Sequence, residues 1–194
     1  MAIDAAPAVE VRKKLTPDDV WEMVCRGEID PDLHWELIEG EVVEIPPESM
    51  GNSNVEATII AALSNFARVA GGRAFSSSLG ATVGADRRQL REVDAAYVGP
   101  ASLLNSPGPW MNGAPDLVVE VLSRGQYGPA YAHGKVREYL EAGAQLVWLV
   151  DARHEEVRVY RPNSNEYTIN RNDAVLTLEP IIGGFALKVS DIFR

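Results

Sequence analysis

Apolar and polar positions alternate along this chain with two different periods, and the changes of period mark out its elements. Val20, Trp21, Met23 and Val24 recur at helical spacing. The preceding Thr16-Pro17-Asp18-Asp19 offers a hydroxyl cap, a proline at the first helical position and acids in the first turn. Together they predict a helix over 16–26. Two apolar runs, 35–38 and 42–45, broken at Glu39-Gly40, predict a β-hairpin. Val55, Ile59, Leu63 and Phe66 lie on one stripe of a second helix, with Asn52 or Ser53 as its cap and Gly71-Gly72 as its end.

Beyond Gly72 the period shortens to that of strands. Segments 74–77 and 81–83 read as short strands, and 94–98 as a clearer one opened by Asp94. Pro, Gly and Asn make 105–115 a loop. The near-continuous apolar run 117–122 predicts a central strand covered on both faces. A helix over 131–142 closes at Gly143, and 146–150 is a second buried strand. Segments 156–160 and 166–169 form an edge hairpin, which also offers an edge for pairing with another copy. A helical turn at 189–193 ends the chain. The class is therefore α/β, with a central mixed β-sheet flanked by helices and an N-terminal helix and hairpin ahead of it. Residues 1–15 are expected to be a loose arm, and 16–194 one domain.

Composition adds little to the fold but narrows the function. No apolar run is long enough for a membrane span. The single cysteine, Cys25, precludes an internal disulfide and fits a cytoplasmic location. A net charge of −10 argues against a chain that lives by non-specific DNA binding, which is driven by counterion release to basic residues. It leaves room for an enzyme whose carboxylates hold a cation. The histidines have no metal-ligand spacing with Cys25, so a structural zinc site is not expected.

The residue that stands out is Glu120, which interrupts the apolar run 117–122. Burying a lone carboxylate costs several kcal/mol, on the order of what one good partner or a metal returns. Asp94, beside apolar residues at the start of another strand, is the natural companion, although a strand-start acid is common in itself. Two carboxylates from adjacent strand ends can hold a hard divalent cation. Glu36, between Trp35 and Leu37, reads equally well as the solvent face of its strand. Lys135 shares a helix face with Tyr139, and alone it reads as a solvated lysine. Arg87, Arg88 and Arg91 read as a solvated hairpin tip, with phosphate contact as the alternative.

These residues fall within blocks that resemble a known family. His34-Trp35-Glu36-Leu37-Ile38-Glu39-Gly40-Glu41-Val42-Val43, Arg91-Glu92-Val93-Asp94 and Pro115-Asp116-Leu117-Val118-Val119-Glu120-Val121-Leu122-Ser123 are similar, in order and spacing, to the Uma-two-type endonucleases. The blocks Lys135-Val136-Arg137-Glu138-Tyr139-Leu140-Glu141-Ala142-Gly143 and Leu146-Val147-Trp148-Leu149-Val150-Asp151 continue the likeness. That family belongs to the PD-(D/E)XK restriction-endonuclease-like superfamily.

The resemblance implies a restriction-endonuclease-like fold and a metal-dependent endonuclease acting on DNA with Mg²⁺ or Mn²⁺. Asp94 and Glu120 would be the metal ligands, and Glu36 and Lys135 further catalytic residues. Leu122 stands where the superfamily lysine usually does, so Lys135 on the next helix would take its place. Two departures are visible: Val93 replaces the proline before Asp94, and Asn52 stands where relatives commonly have His. Asn52 and the acidity favour an alternative, a nuclease-like binding or assembly module without turnover, working as a homodimer.

Overall fold

The computed structural model describes residues 14–30, 32–84, 86–123, 129–164 and 166–194. The expected arm, apart from Lys14 and Leu15, and residues 124–128 lie outside the described residues. Helix α1 (Pro17–Cys25) starts as its sequence dictates. The Thr16 hydroxyl accepts from the Asp19 amide at 3.2 Å, and the Asp19 carboxylate accepts from the Thr16 amide at 2.9 Å. The hairpin of β1 (Trp35–Ile38) and β2 (Glu41–Glu44) follows, turning at Glu39 and Gly40, both at positive φ.

Helix α2 (Met50–Ala70) begins three to four residues earlier than a cap at Asn52 or Ser53 would place it. Ser49 is its cap, accepting from the Asn52 amide at 3.2 Å, so Asn52 lies inside the first turn. The two short strands expected next are one, β3 (Arg73–Val83). It reads as two because Ser76, Ser77 and Ser78 interrupt the apolar pattern at a β-bulge. Ser76 pairs with Ala95 and Leu79 with Val93, which leaves two β3 residues opposite Asp94. Strand β4 (Gln89–Val98) is also longer than expected. Asp94 sits in its middle, not at its start, because Arg91 and Glu92, charges that resemble a turn, are in the strand and paired. A short helix α3 (Pro100–Leu104) is an element the pattern does not announce.

Strand β5 (Leu117–Val121) is buried throughout and runs parallel to β6 (Leu146–Asp151). Helix α4 (Pro129–Glu141) makes the crossover that a parallel pair requires. Strands β7 (Glu156–Tyr160) and β8 (Tyr167–Arg171) complete the sheet. A two-stranded ribbon of β9 (Val175–Leu176) and β10 (Leu187–Lys188) leads into α5 (Val189–Ile192). The eight strands order as β2-β1-β4-β5-β6-β7-β8, with β3 on β4. Apolar residues of α2, Val55, Ile59 and Leu63, pack on one face with Tyr97, Val119 and Trp148. Val136 and Tyr139 of α4 pack on the other with Val93, Val118 and Val147. Among the described residues no helix is long and apolar enough to cross a membrane.

One topological detail positions everything that follows. Strand β4 has β3 along one edge, while its other edge is shared. Leu90 pairs with Leu37 of β1, and Ala95 to Tyr97 pair with β5. Between these two pairings β1 and β5 part company. Residues 91–94 of β4 lie at that fork, opposite the bulge.

At the far end of β5, Asp116 closes the loop that carries α3. Its carboxylate accepts from the Gly99 amide at 2.7 Å, the Ser102 hydroxyl at 2.9 Å and the Gln145 amide group at 2.9 Å. Removing a buried acceptor strands its donors, so Asp116→Ala is expected to cost about 3 kcal/mol. For a domain of this size that is a fall in Tm of roughly 6–12 °C, measurable by calorimetry.

Candidate active site

The fork between β1 and β5 gathers charge from four elements. Glu120 on β5 is 6% exposed and its carboxylate is fully engaged. Lys135 Nζ, from α4, donates to Oε2 at 2.7 Å, and the Tyr139 hydroxyl, one turn further along, donates to Oε1 at 2.7 Å. Helical spacing thus delivers two donors to one carboxylate. Lys135 also stands 3.4 Å from Glu36 Oε1 on β1. Glu36, 3% exposed, is no solvent-face acid: Arg91 NH1 donates to its Oε2 at 2.8 Å.

Arg91 corrects the reading of a solvated hairpin tip. It is buried in β4 and spans two partners, Glu36 and, through Nε at 3.0 Å, Glu138 of α4. Arg87 and Arg88, at the turn, are exposed as expected. Asp94 is tied from the side: its Oδ2 accepts from the Val121 amide at 2.6 Å, beyond the last β4–β5 backbone pair. The structure therefore brings Glu36, Asp94, Glu120 and Lys135 to a single cleft.

Glu56, Glu48, Glu92, His34 and Ser77 line the same cleft. Sequence reading missed Glu56, although it carried a signal. It lies three and seven residues before Ile59 and Leu63, an acid on the apolar stripe of α2. Its Oε1 is buried with no hydrogen-bond partner among the described residues. Glu92 meets His34 Nδ1 at 2.8 Å on the rim. Glu48 is bonded by Ser123 and, at 2.9 Å, by the Asn52 side chain, which also donates to the Leu122 carbonyl at 3.3 Å. Asn52 is thus a bracket between the start of α2 and the end of β5. Tyr97 packs in the core with its hydroxyl on the Gly71 carbonyl. Tyr127 lies outside the described residues.

Electrostatics show what the cleft lacks. Burial and the nearby Glu120 charge push Asp94 well above the usual carboxylate range, against Lys135 and the Val121 amide. Burial also raises Glu120, with Lys135 and Tyr139 opposing. Glu56 is pushed up to about 7 by burial and by the Glu48 and Glu120 charges. Burial works against the charge on Lys135, but Glu120, Glu36 and Asp94 outweigh it and hold the ammonium protonated. Among the described residues six carboxyl groups line the cleft against one lysine and one histidine, with Arg91 compensating Glu36 from outside the lining.

The oxygen donors are all hard, which is the chemistry that a Mg²⁺ or Mn²⁺ ion would take. Among the described residues no three acids or histidines are close enough to cage an ion unaided. An ion held there would have to keep several of its waters.

A mixed sheet flanked by α2 and α4, with acids and a lysine converging where two strands part, defines an α/β protein of restriction-endonuclease-like fold. The chain belongs to the Uma2 family, whose model, described as "Putative restriction endonuclease", matches residues 21–190. It is also similar to a solved structure titled as "a putative nuclease belonging to DUF820 from Anabaena variabilis ATCC 29413", with a TM-score of 0.75 at 20% identity. That likeness covers 92% of this chain and 97% of the other. No curated protein matches the chain.

The Glu56 shift makes stability depend on pH. In the unfolded chain this carboxyl titrates near 4.5 and in the fold near 7, so folding takes up a proton between those values. Stability from this group is present at low pH and lost as pH rises toward 7. Besides Glu48 and Glu120, His34 faces Glu56 and acts in the opposite sense. In metal-free buffer, Glu56→Gln is therefore expected to gain Tm relative to wild type as pH goes from 5 to 8. A difference that stays flat across that range would contradict the buried, unpartnered state of Glu56.

Proposed function

We propose that this protein is a metal-dependent endonuclease that hydrolyses DNA phosphodiester bonds, with Asp94 and Glu120 as ligands of a Mg²⁺ or Mn²⁺ ion. The observation that carries the reading is the convergence of Asp94, Glu120 and Lys135 in one cleft, with more carboxyl groups than cationic side chains in its lining. Bound there, the ion would polarise the phosphodiester and lower the pKa of an attacking water.

The chain's own residues account for the rest. Lys135 holds a full positive charge at the cleft, where negative charge develops on phosphate in the transition state. Glu36 keeps that ammonium charged and turned inward when Glu120 is engaged elsewhere. The Val121 amide fixes the Asp94 carboxylate. Asn52, in the place where relatives commonly have His, donates to Glu48 and to the end of β5, and so supports the cleft wall. A DNA substrate and a single thiol, Cys25, favour a cytoplasmic location.

A second reading is favoured by the net charge of −10 and by that use of Asn52: a nuclease-like binding or assembly module without turnover. In it the protein would be a homodimer, with the β8 edge available for pairing.

Incubation of supercoiled plasmid and of labelled oligonucleotides with wild type and Glu120→Ala, in Mg²⁺ and in Mn²⁺, separates the two readings. Cleavage by wild type and a loss of at least about 10³-fold in the variant are expected, since a metal ligand and its ion contribute several kcal/mol to the barrier. Lys135→Ala is expected to lose about 10²-fold or more while still binding Mn²⁺. Equal, chelator-insensitive cleavage by all three preparations would end the enzymatic reading, and wild type with no cleavage would favour the module.

A further inference from the structure

Each candidate ligand has one oxygen tied back. On Asp94 it is Oδ2, held by the Val121 amide at 2.6 Å. On Glu120 it is Oε1, held by the Tyr139 hydroxyl at 2.7 Å. Tyr139 is fully buried and stands outside the cleft lining, whereas Lys135, the partner of Oε2, lines the cleft. The tied oxygen of Glu120 therefore points to the core and the other toward the cleft. Lys135 has a second place to go: Glu36 Oε1 lies 3.4 Å from its Nζ, and Arg91 holds Glu36 still. An ion can thus take Oε2 without leaving the ammonium unpaired.

We propose that Tyr139 is a positioning residue that forces Glu120 to offer one oxygen, and thereby sets which cation the cleft prefers. This rests on the metal-dependent reading above. The physical reason is coordination number. Ca²⁺ accepts six to eight oxygens and readily takes a carboxylate through both of them, whereas Mg²⁺ demands an octahedron and keeps its water. Two carboxylates that each present one oxygen suit the smaller ion. With Tyr139 removed, Glu120 can turn and chelate through both oxygens, which helps Ca²⁺ more than Mg²⁺. Outer hydrogen bonds of this kind change metal affinity by about 10–100-fold.

The test needs no turnover. Free Mn²⁺ is followed by electron paramagnetic resonance during titration of wild type and Tyr139→Phe, and the bound ion is then displaced with Mg²⁺ or Ca²⁺. The ratio of Ca²⁺ to Mg²⁺ needed for half displacement is expected to fall about tenfold in the variant. Thermal melting of the metal-free proteins checks that both are folded. A variant that is folded, binds Mn²⁺ and keeps the wild-type ratio overturns the proposal and leaves the nuclease reading standing. Wild type with no Glu120-dependent Mn²⁺ binding at millimolar concentration overturns both.

Should Tyr139→Phe fail to fold, infrared difference spectra of wild type carrying carboxyl-labelled glutamate give the answer. A wide splitting of the carboxylate stretches on Mg²⁺ binding, the one-oxygen signature, is expected. A narrow splitting overturns the proposal.

Discussion

The structure is arranged around a charge that ought not to be where it is. Glu120 sits in a strand covered by helices on both faces, and an isolated carboxylate there would cost more than most single interactions return. It is tolerated because α4 crosses directly over it and supplies an ammonium and a hydroxyl one turn apart. Lys135 would in turn be a buried charge in need of partners, and Glu36 meets that need. Arg91 does the same for Glu36, and Glu138 for Arg91. Five charged residues from three strands and a helix thus form one chain of mutual compensation. Loss of any member leaves its neighbours with one buried partner fewer, which is a costly outcome for buried ion pairs.

The parting of β1 and β5 on one edge of β4 gives this network its room. A continuously paired sheet would fill residues 91–94 with backbone partners on both sides. Here the bulge in β3 relaxes one edge of β4 and the fork frees the other. The carboxylate of Asp94 then takes a β5 amide that no β4 carbonyl uses. Bulges commonly re-aim side chains beside functional clefts, and the position of this one opposite Asp94 is of that kind.

Much of this was legible in the residues. The capped helix α1, the Glu39-Gly40 turn, the buried runs of β5 and β6 and the crossover helix all follow from local pattern. So did the anomaly at Glu120 and, through resemblance, its grouping with Asp94, Glu36 and Lys135. Charged residues inside regular elements were the ones misread. Arg91 and Glu92 resembled a turn, and Glu56 was passed over on an apolar stripe. For Arg91 and Glu92 the partner lies far away in sequence, 55 residues for Arg91 and Glu36 and 58 for Glu92 and His34, and local pattern carries no trace of it. The serines of β3 hid a strand for a similar reason, because a bulge breaks the alternation by which strands are recognised.

The clasp of Arg91 between Glu36 and Glu138 has a consequence for how the chain reaches this state. Glu138 arrives on α4, after β1 and β4 have been synthesised and can already pair. The Glu138 contact and both contacts of Lys135 require α4 in place, whereas the Arg91–Glu36 pair needs only β1 and β4. A contact formed only once α4 is docked acts on unfolding more than on folding, so the Glu138 half of the clasp lengthens the lifetime of the finished cleft without hastening its assembly.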